Sequence, residues 1–168
     1  MAGPVSLVGD CNVWIDLDVG GLLDHAFRLP FGWLAPDVVV AELTRDTPSG
    51  KRLVQLGLDV RELPGELTAR VAELRQSYLR PSTPDLFALA LAEALGIALI
   101  TGDASLREAA EQEGVEVHGA LWVLDEMVAR GVAAPTEAAD ALQAMLDNGR
   151  RLPLRESTAR IARWRAST

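Results

Sequence analysis

Two short, almost wholly apolar runs end in the same way: Val5-Ser6-Leu7-Val8 leads into Gly9-Asp10, and Ile97-Ala98-Leu99-Ile100-Thr101 leads into Gly102-Asp103. A strand with one face in water alternates apolar and polar residues, whereas a run without alternation has both faces covered. Between the two lie segments of helical spacing, such as Leu67, Val71, Leu74 and Tyr78. Buried strands separated by helices make a parallel sheet with helices on both faces, so the fold class expected is α/β. In such sheets functional groups collect at the carboxyl ends of the strands, where Asp10 and Asp103 fall. Beyond Gly119 the pattern is all-helical. The chain therefore divides into an α/β domain of residues 1–120 and a helical extension of residues 121–168, expected to pack on it.

The remaining punctuation gives provisional elements. A helix is expected over Leu17–Arg28, interrupted by Gly20-Gly21. The apolar stretch Leu34–Val40 leads into a helix opening at Ala41-Glu42-Leu43, followed by a helix over Gly50–Leu56, a strand over Leu58–Leu63 and a helix over Glu66–Leu79. Thr83 is a good N-cap, Pro84 suits the first helical position, and Asp85 suits the positive end of the helix dipole. That helix stops at Gly96. A helix over Ser105–Glu113 and a strand over Val115–Val117 come next, then helices over Leu121–Ala129, Thr136–Leu146 with Thr136 as cap, and Glu156–Trp164.

Composition excludes several classes. Cys11 is the only cysteine among 168 residues, so neither a disulfide framework nor a zinc ribbon is available. Neither His25 nor His118 stands in a cysteine-protease signature, and Cys11 is read as an inert thiol. The opening Met1–Val5 has no basic region followed by an apolar run, so no secretory signal is expected. The most apolar stretch, Leu86–Ile100, contains Glu93 and falls short of the ~20 residues of a membrane span. A cytoplasmic protein without a membrane partner is expected. The net charge of −8 argues against indiscriminate nucleic-acid binding, yet it is unevenly spread. From residue 150 onward Arg150, Arg151, Arg155, Arg160, Arg163 and Arg165 face one acid, Glu156, so the body before them is more acidic than the total.

Four carboxylates stand where the pattern places functional groups: Asp10 and Asp103 end strands, Glu42 follows an apolar run, and Asp85 opens a helix. Hard divalent cations take oxygen ligands, and an ion held among carboxylates can activate water against a phosphate. These residues resemble a known family. Val5–Trp14, a hydrophobic strand followed by Asp10-x-Asn12, is similar to the opening of PIN domains. Glu42 in Val-Val-Ala-Glu-Leu resembles the second acid, Asp85 in Thr-Pro-Asp-Leu-Phe-Ala the third, and Asp103 after Thr101-Gly102 the last. The stretch 116–124 resembles a bacterial and archaeal branch with a helical extension.

The resemblance implies a PIN-like nuclease domain: a magnesium- or manganese-dependent endoribonuclease, often the toxin of a toxin–antitoxin pair. It implies Asp10, Asp85 and Asp103 as metal ligands, Glu42 as ligand or orienting base, and Asn12 and Thr101 as supports. Ala104-Ser105-Leu106 follows Asp103 where many relatives carry another acid or an aromatic, which leaves the number of metals open. RNA would be the substrate, an antitoxin a possible partner, and a homodimer the expected state.

Rival readings fare worse. A phosphoacceptor receiver needs a strand-end lysine, and the sole lysine, Lys51, lies in an expected helix. A haloacid-dehalogenase phosphatase needs Asp-x-Asp, where this chain has Asn12. A PIN fold kept as a non-catalytic RNA- or protein-binding module is the strongest alternative. Asp16, Asp18 and Asp37 are read as solvent-exposed, with Asp16 the first candidate to add to the site; Trp14, Trp33 and Trp122 as core or partner-facing. The arginine tail either holds RNA or docks an acidic partner. Ile161 and Trp164 give its helix an apolar edge that RNA does not require, whereas a partner helix or the domain's own surface does, and this favours the partner.

Overall fold

The computed structural model describes residues 3–167; Met1, Ala2 and Thr168, which the leader and tail readings touch, lie outside them. The chain runs β1 (Val5–Gly9), α1 (Cys11–Val19), α2 (Leu23–Ala26), β2 (Phe31–Pro36), α3 (Asp37–Asp46), α4 (Ser49–Leu56) and β3 (Asp59–Arg61). It continues with α5 (Gly65–Ser77), α6 (Thr83–Leu95), β4 (Ala98–Ile100), α7 (Ala104–Gln112) and β5 (Val117–His118). Three helices close it: α8 (Ala120–Ala129), α9 (Pro135–Asp147) and α10 (Leu154–Arg165).

All strand pairs are parallel, in the order β3-β2-β1-β4-β5. The chain first builds outward from β1 to β3, then returns to lay β4 on the other side of β1. The junction of β1 and β4 is thus the point where strand order reverses, the usual position of a ligand crevice in an open sheet. Leu7 pairs with Trp33 on one side and Ala98 on the other, and the Asp10 N–H donates to the Ile100 carbonyl at 3.1 Å, carrying the ladder to the start of α1. Val8, Leu99 and Ile100 are fully buried, as unbroken apolar strands require. The outer strand β3 is exposed and carries Asp59 and Arg61, paired at 2.8 Å; charges on an edge discourage further strand addition.

Several boundaries differ from the sequence reading, each for a local reason. The first helix begins at Cys11 rather than Leu17, because the Asp10 carboxylate caps it by accepting the Val13 N–H at 2.9 Å. The stretch 34–40 divides at Pro36: the strand ends there, and Val38-Val39-Val40 enter α3, where Val39 is fully buried. Tertiary packing overrides the mild helix aversion of β-branched residues. The cap of α6 is Ser82, not Thr83. Ser82 Oγ accepts the Asp85 N–H at 3.1 Å and Asp85 accepts the Ser82 N–H at 3.0 Å; this capping box needs an acid three residues after the cap, a spacing Thr83 lacks. In α9, Pro135 is the first residue and Glu137 takes the Ala134 N–H at 3.3 Å, so Thr136 is not the cap. The last strand is Val117–His118, displaced toward the carboxyl side of Val115–Val117.

The helical extension folds back onto the domain. α9 lies against α1, close enough at Gly20 that an added Cβ would stand 2.6 Å from Met145 Cε. α10 packs on α9 and buries Ile161 and Trp164. The apolar edge that favoured a partner for the tail is therefore satisfied within the chain. Arg160 and Arg163 reach Asp125 on α8 at 2.7 and 3.4 Å, and Arg165 reaches Asp140 on α9 at 3.6 Å. These are partly exposed ion pairs, worth ~0–1 kcal/mol each, and they tie the tail to its own domain.

Candidate active site

Asp10 and Thr101 are joined across the β1–β4 junction. The Thr101 hydroxyl donates to Asp10 Oδ2 and accepts the Asp103 N–H at 3.0 Å, so one threonine links the two strand-end aspartates. Asp103 caps α7, its Oδ1 accepting the Leu106 N–H at 2.8 Å and the Ser105 hydroxyl at 2.5 Å. Thr101 thus stands as a support for both acids. Gly9 is the residue this corner demands, since a Cβ there would stand 2.6 Å from the ring of Trp14. Trp14 and Trp33 are buried in the core in edge contact at 5.0 Å. Trp122 is half-buried, stacked at 4.3 Å on His118.

Glu42 and Asp85 approach from the side. α3 carries Glu42 and α6 carries Asp85, and both line a cavity of about 230 Å³ together with Cys11, Asn12 and Ser82. The Cys11 thiol donates to Glu42 Oε2 at 3.1 Å. Burial pushes that thiol's pKa up, as do the hydrogen bond and charge of Glu42, so Cys11 is a neutral wall of the site and no nucleophile.

The electrostatics identify these groups as one cluster. Burial raises the pKa of Asp10 to about 7; Thr101 and Val13 oppose the rise, while Asp85 and Asp16 add to it. Burial raises Asp85 too, with Ser82 opposing and with Asp103 and Glu42 adding their charge. Asp85 is thus the link among the four expected acids: it acts on Asp10, and Asp103 and Glu42 act on it. Among the described residues no three His, Cys, Asp or Glu side chains stand close enough to enclose an ion. The donor set nonetheless fits magnesium or manganese. It consists of carboxylate oxygens, and among the described residues one oxygen each of Asp85 and Asp103 takes no donor. Such ions bind through few carboxylates and keep their waters.

Asp16 departs from the exposed position expected of it. It is only 2% exposed and meets Arg150 at 2.5 Å, while Asp18 and Asp37 are exposed as expected. Burial raises the pKa of Asp16 against the hydrogen bond and charge of Arg150. A helix opening directly after Asp10 places Asn12 and Asp16, four apart, on one face; starting the helix at Leu17 hid that relation. Arg150 Nη2 also lies 3.5 Å from Asn12 Oδ1, so Asn12 faces both the acid cavity and the extension.

A profile of the PIN-domain family matches residues 6–165, so the chain belongs to that family, with the extension inside the match. PIN domains as a class are metal-dependent nucleases, and this chain has their nuclease-type fold. Among solved structures it is similar to a PilT N-terminus domain protein from the hyperthermophilic archaeon Sulfolobus solfataricus P2, at 14% identity and a TM-score of 0.47, over 72% of this chain and 92% of that one. No match is found among curated proteins. Among the described residues no helix is long and apolar enough to cross a membrane.

Proposed function

We propose that the chain is a magnesium- or manganese-dependent endoribonuclease that cuts single-stranded or looped RNA. The observation that carries this reading is the convergence of four acids at the strand-order reversal of a PIN domain: Thr101 ties Asp10 to Asp103, Glu42 and Asp85 line one cavity, and the charge of Asp85 reaches Asp10. A divalent cation held there would supply an activated water and neutralise charge building on the phosphate. The chain's residues do the rest. Thr101 and the Val13 N–H hold Asp10 against the burial that would protonate it. Ser82 fixes Asp85, and Leu106 and Ser105 fix Asp103, each leaving one carboxylate oxygen for the site. Glu42, half-buried beside them, accepts from Cys11 through one oxygen and is placed to orient a water.

Unstacked RNA is preferred because an in-line attack needs a splayed phosphate and because base edges are readable only where strands open. A toxin role within a toxin–antitoxin pair is the narrower form of the reading, supported by the family branch that residues 116–124 resemble. The deciding experiment incubates single-stranded RNA with the wild-type chain in manganese, in EDTA, and after manganese is restored, beside Asp10→Asn. Cleavage that needs the ion and is lost in the variant supports the reading. Cleavage that survives EDTA or Asp10→Asn overturns it.

A further inference from the structure

On the far side of Asn12 from the acid cavity lies a cleft of about 920 Å³, bordered by Thr101, Gly102 and Asp103 and by four arginines: Arg80, Arg107, Arg150 and Arg151. Such a concentration of positive charge is unusual in a chain with a net charge of −8, and it abuts the acids. Arg80 and Arg151 are exposed, and among the described residues neither is held by an ion pair or a side-chain hydrogen bond. Arg107 is 4.0 Å from Glu111, a weak exposed pairing.

Arg150 is different, because the fold is built to hold it. Beyond the end of α9 the chain turns at Gly149, whose φ of 76° suits glycine, and the Arg150 N–H returns to the Met145 carbonyl at 3.0 Å. Met145 is the residue seated against Gly20 at the end of α1, so the docking of α9 aims Arg150 back along α1. There Nε donates to Asp16 at 2.5 Å. Asp16 lies under the loop that presents Asp103: an added Cβ on Gly102 would stand 3.2 Å from Asp16 Oδ2. The acid is sealed while the guanidinium is 25% exposed at the cleft. Its Nη1 edge takes no protein hydrogen bond. A buried carboxylate that holds an arginine by one edge and leaves another open produces a rigid phosphate-binding fork, since guanidinium matches phosphate oxygens in pairs.

We propose that RNA enters through this cleft, that Arg150 grips a backbone phosphate beside the acidic site, and that Asp16 is the positioning residue that aims Arg150. The proposal rests on the ribonuclease reading for its substrate, but its test is separable from it. The probe is a non-cleavable 2′-O-methyl oligouridine strand, bound by the full chain in EDTA over a series of salt concentrations. Each phosphate contact contributes about 0.7 to the slope of log affinity against log salt for single strands. Arg150→Ala is expected to weaken binding about tenfold at low salt and to flatten the slope by roughly that amount. Arg150→Lys should restore the slope but leave KM for RNA cleavage raised, and Asp16→Asn should raise KM more than it lowers kcat. Arg160→Ala, which loses the pairing to Asp125 outside the cleft, should leave the slope unchanged.

If Arg150 only staples the extension, Arg150→Ala lowers the melting temperature with an unchanged slope, and the proposal is overturned. It is overturned equally if the wild-type chain binds no strand at low salt. Should Arg150→Ala fail to fold, the exposed pair Arg80→Glu/Arg151→Glu takes its place: a flatter slope supports the cleft, an unchanged one overturns it. A chain that binds the strand with these slopes yet cuts no RNA in manganese removes the ribonuclease reading alone.

Discussion

The ends of β1 and β4 carry the same local motif, an apolar strand, a glycine and an aspartate that caps the next helix, yet they are chemically unlike. Asp10 is 0% exposed, with both oxygens already accepting from protein donors, and burial raises its pKa to about 7. Asp103 is half-exposed, and one of its oxygens takes no protein donor. The cause is position in the sheet. β1 is central, flanked by β2 and β4, and the Trp14 ring covers the chain at Gly9. β4 is paired on its outer side only with the two-residue β5, so the loop after it borders an open cleft. One acid is sealed at the floor of the site; the other stands at its mouth.

The largest expected effect comes from breaking this contrast at the floor. Asp10→Asn keeps the cap, because the amide oxygen can still accept the Val13 N–H, but removes the charge. RNA cleavage in manganese should fall by roughly a thousandfold, the weight of several kcal/mol of lost electrostatic stabilisation, with the circular dichroism spectrum unchanged. Asp103→Asn should cost as much activity, and Asp103→Ala should additionally lose about 1 kcal/mol of helix capping, seen as a lower melting temperature. Thr101→Val, which unties the two ends, is expected to cost ~10–100-fold, the usual range for a residue that orients a ligand. Full activity in Thr101→Val would mean that the two ends work independently.

Metal addition tests whether both ends serve one ion. An ion that binds only the folded chain stabilises it by mass action, about 2.7 kcal/mol at a hundred times its Kd. Manganese should raise the melting temperature of the wild-type chain by several degrees and that of Asp10→Ala/Asp103→Ala by much less. Without metal the double variant sheds like charges but also loses both helix caps, so the quantity compared is the size of each protein's manganese shift, not its starting melting temperature. Equal shifts in both proteins would place manganese elsewhere.

Much of the acid cluster is legible in the sequence because it is local. Asp85 occupies a first-turn position that Pro84 announces, and unbroken apolar runs place Asp10 and Asp103 at strand ends. The tie from the mouth to the helical extension is not local. Asp16 meets Arg150 across 134 positions, and that meeting depends on α9 docking at Gly20, which no periodicity encodes. The tail is a similar case: the edge of Ile161 and Trp164 marks a helix that packs against something, and only the fold identifies that surface as α9.

The glycines offer a finer comparison. A Cβ on Gly9 would meet the Trp14 ring at 2.6 Å, whereas on Gly102 it would meet Asp16 Oδ2 at 3.2 Å. A buried indole in a filled core has little room to yield; a carboxylate paired to a half-exposed arginine has more. Gly9→Ala should therefore destabilise by about 1–3 kcal/mol, as overpacking does, and Gly102→Ala by less. Urea denaturation of the two variants measures the difference. Equal losses would show that the mouth is packed as rigidly as the floor.

The last effect is one of pH, and it belongs to Asp10. Its folded pKa of about 7 lies above the ordinary value of 3.8, so between those limits the folded chain binds a proton that the unfolded chain releases. Stability arising from this residue is then fully present below about pH 4 and is lost as pH rises through about 7. Other carboxylates titrate in the same window, so the informative quantity is the gap between metal-free wild type and Asp10→Asn. Asparagine does not titrate, and the Thr101 hydroxyl can turn to accept from its amide. The two proteins should differ least near pH 4, with the wild type falling progressively below the variant up to about pH 7 and the gap constant above it, by about 2–4 °C for each kcal/mol lost. Parallel melting curves across that range would mean that Asp10 ionises at an ordinary pH, and that Thr101 and Val13 compensate its burial in full.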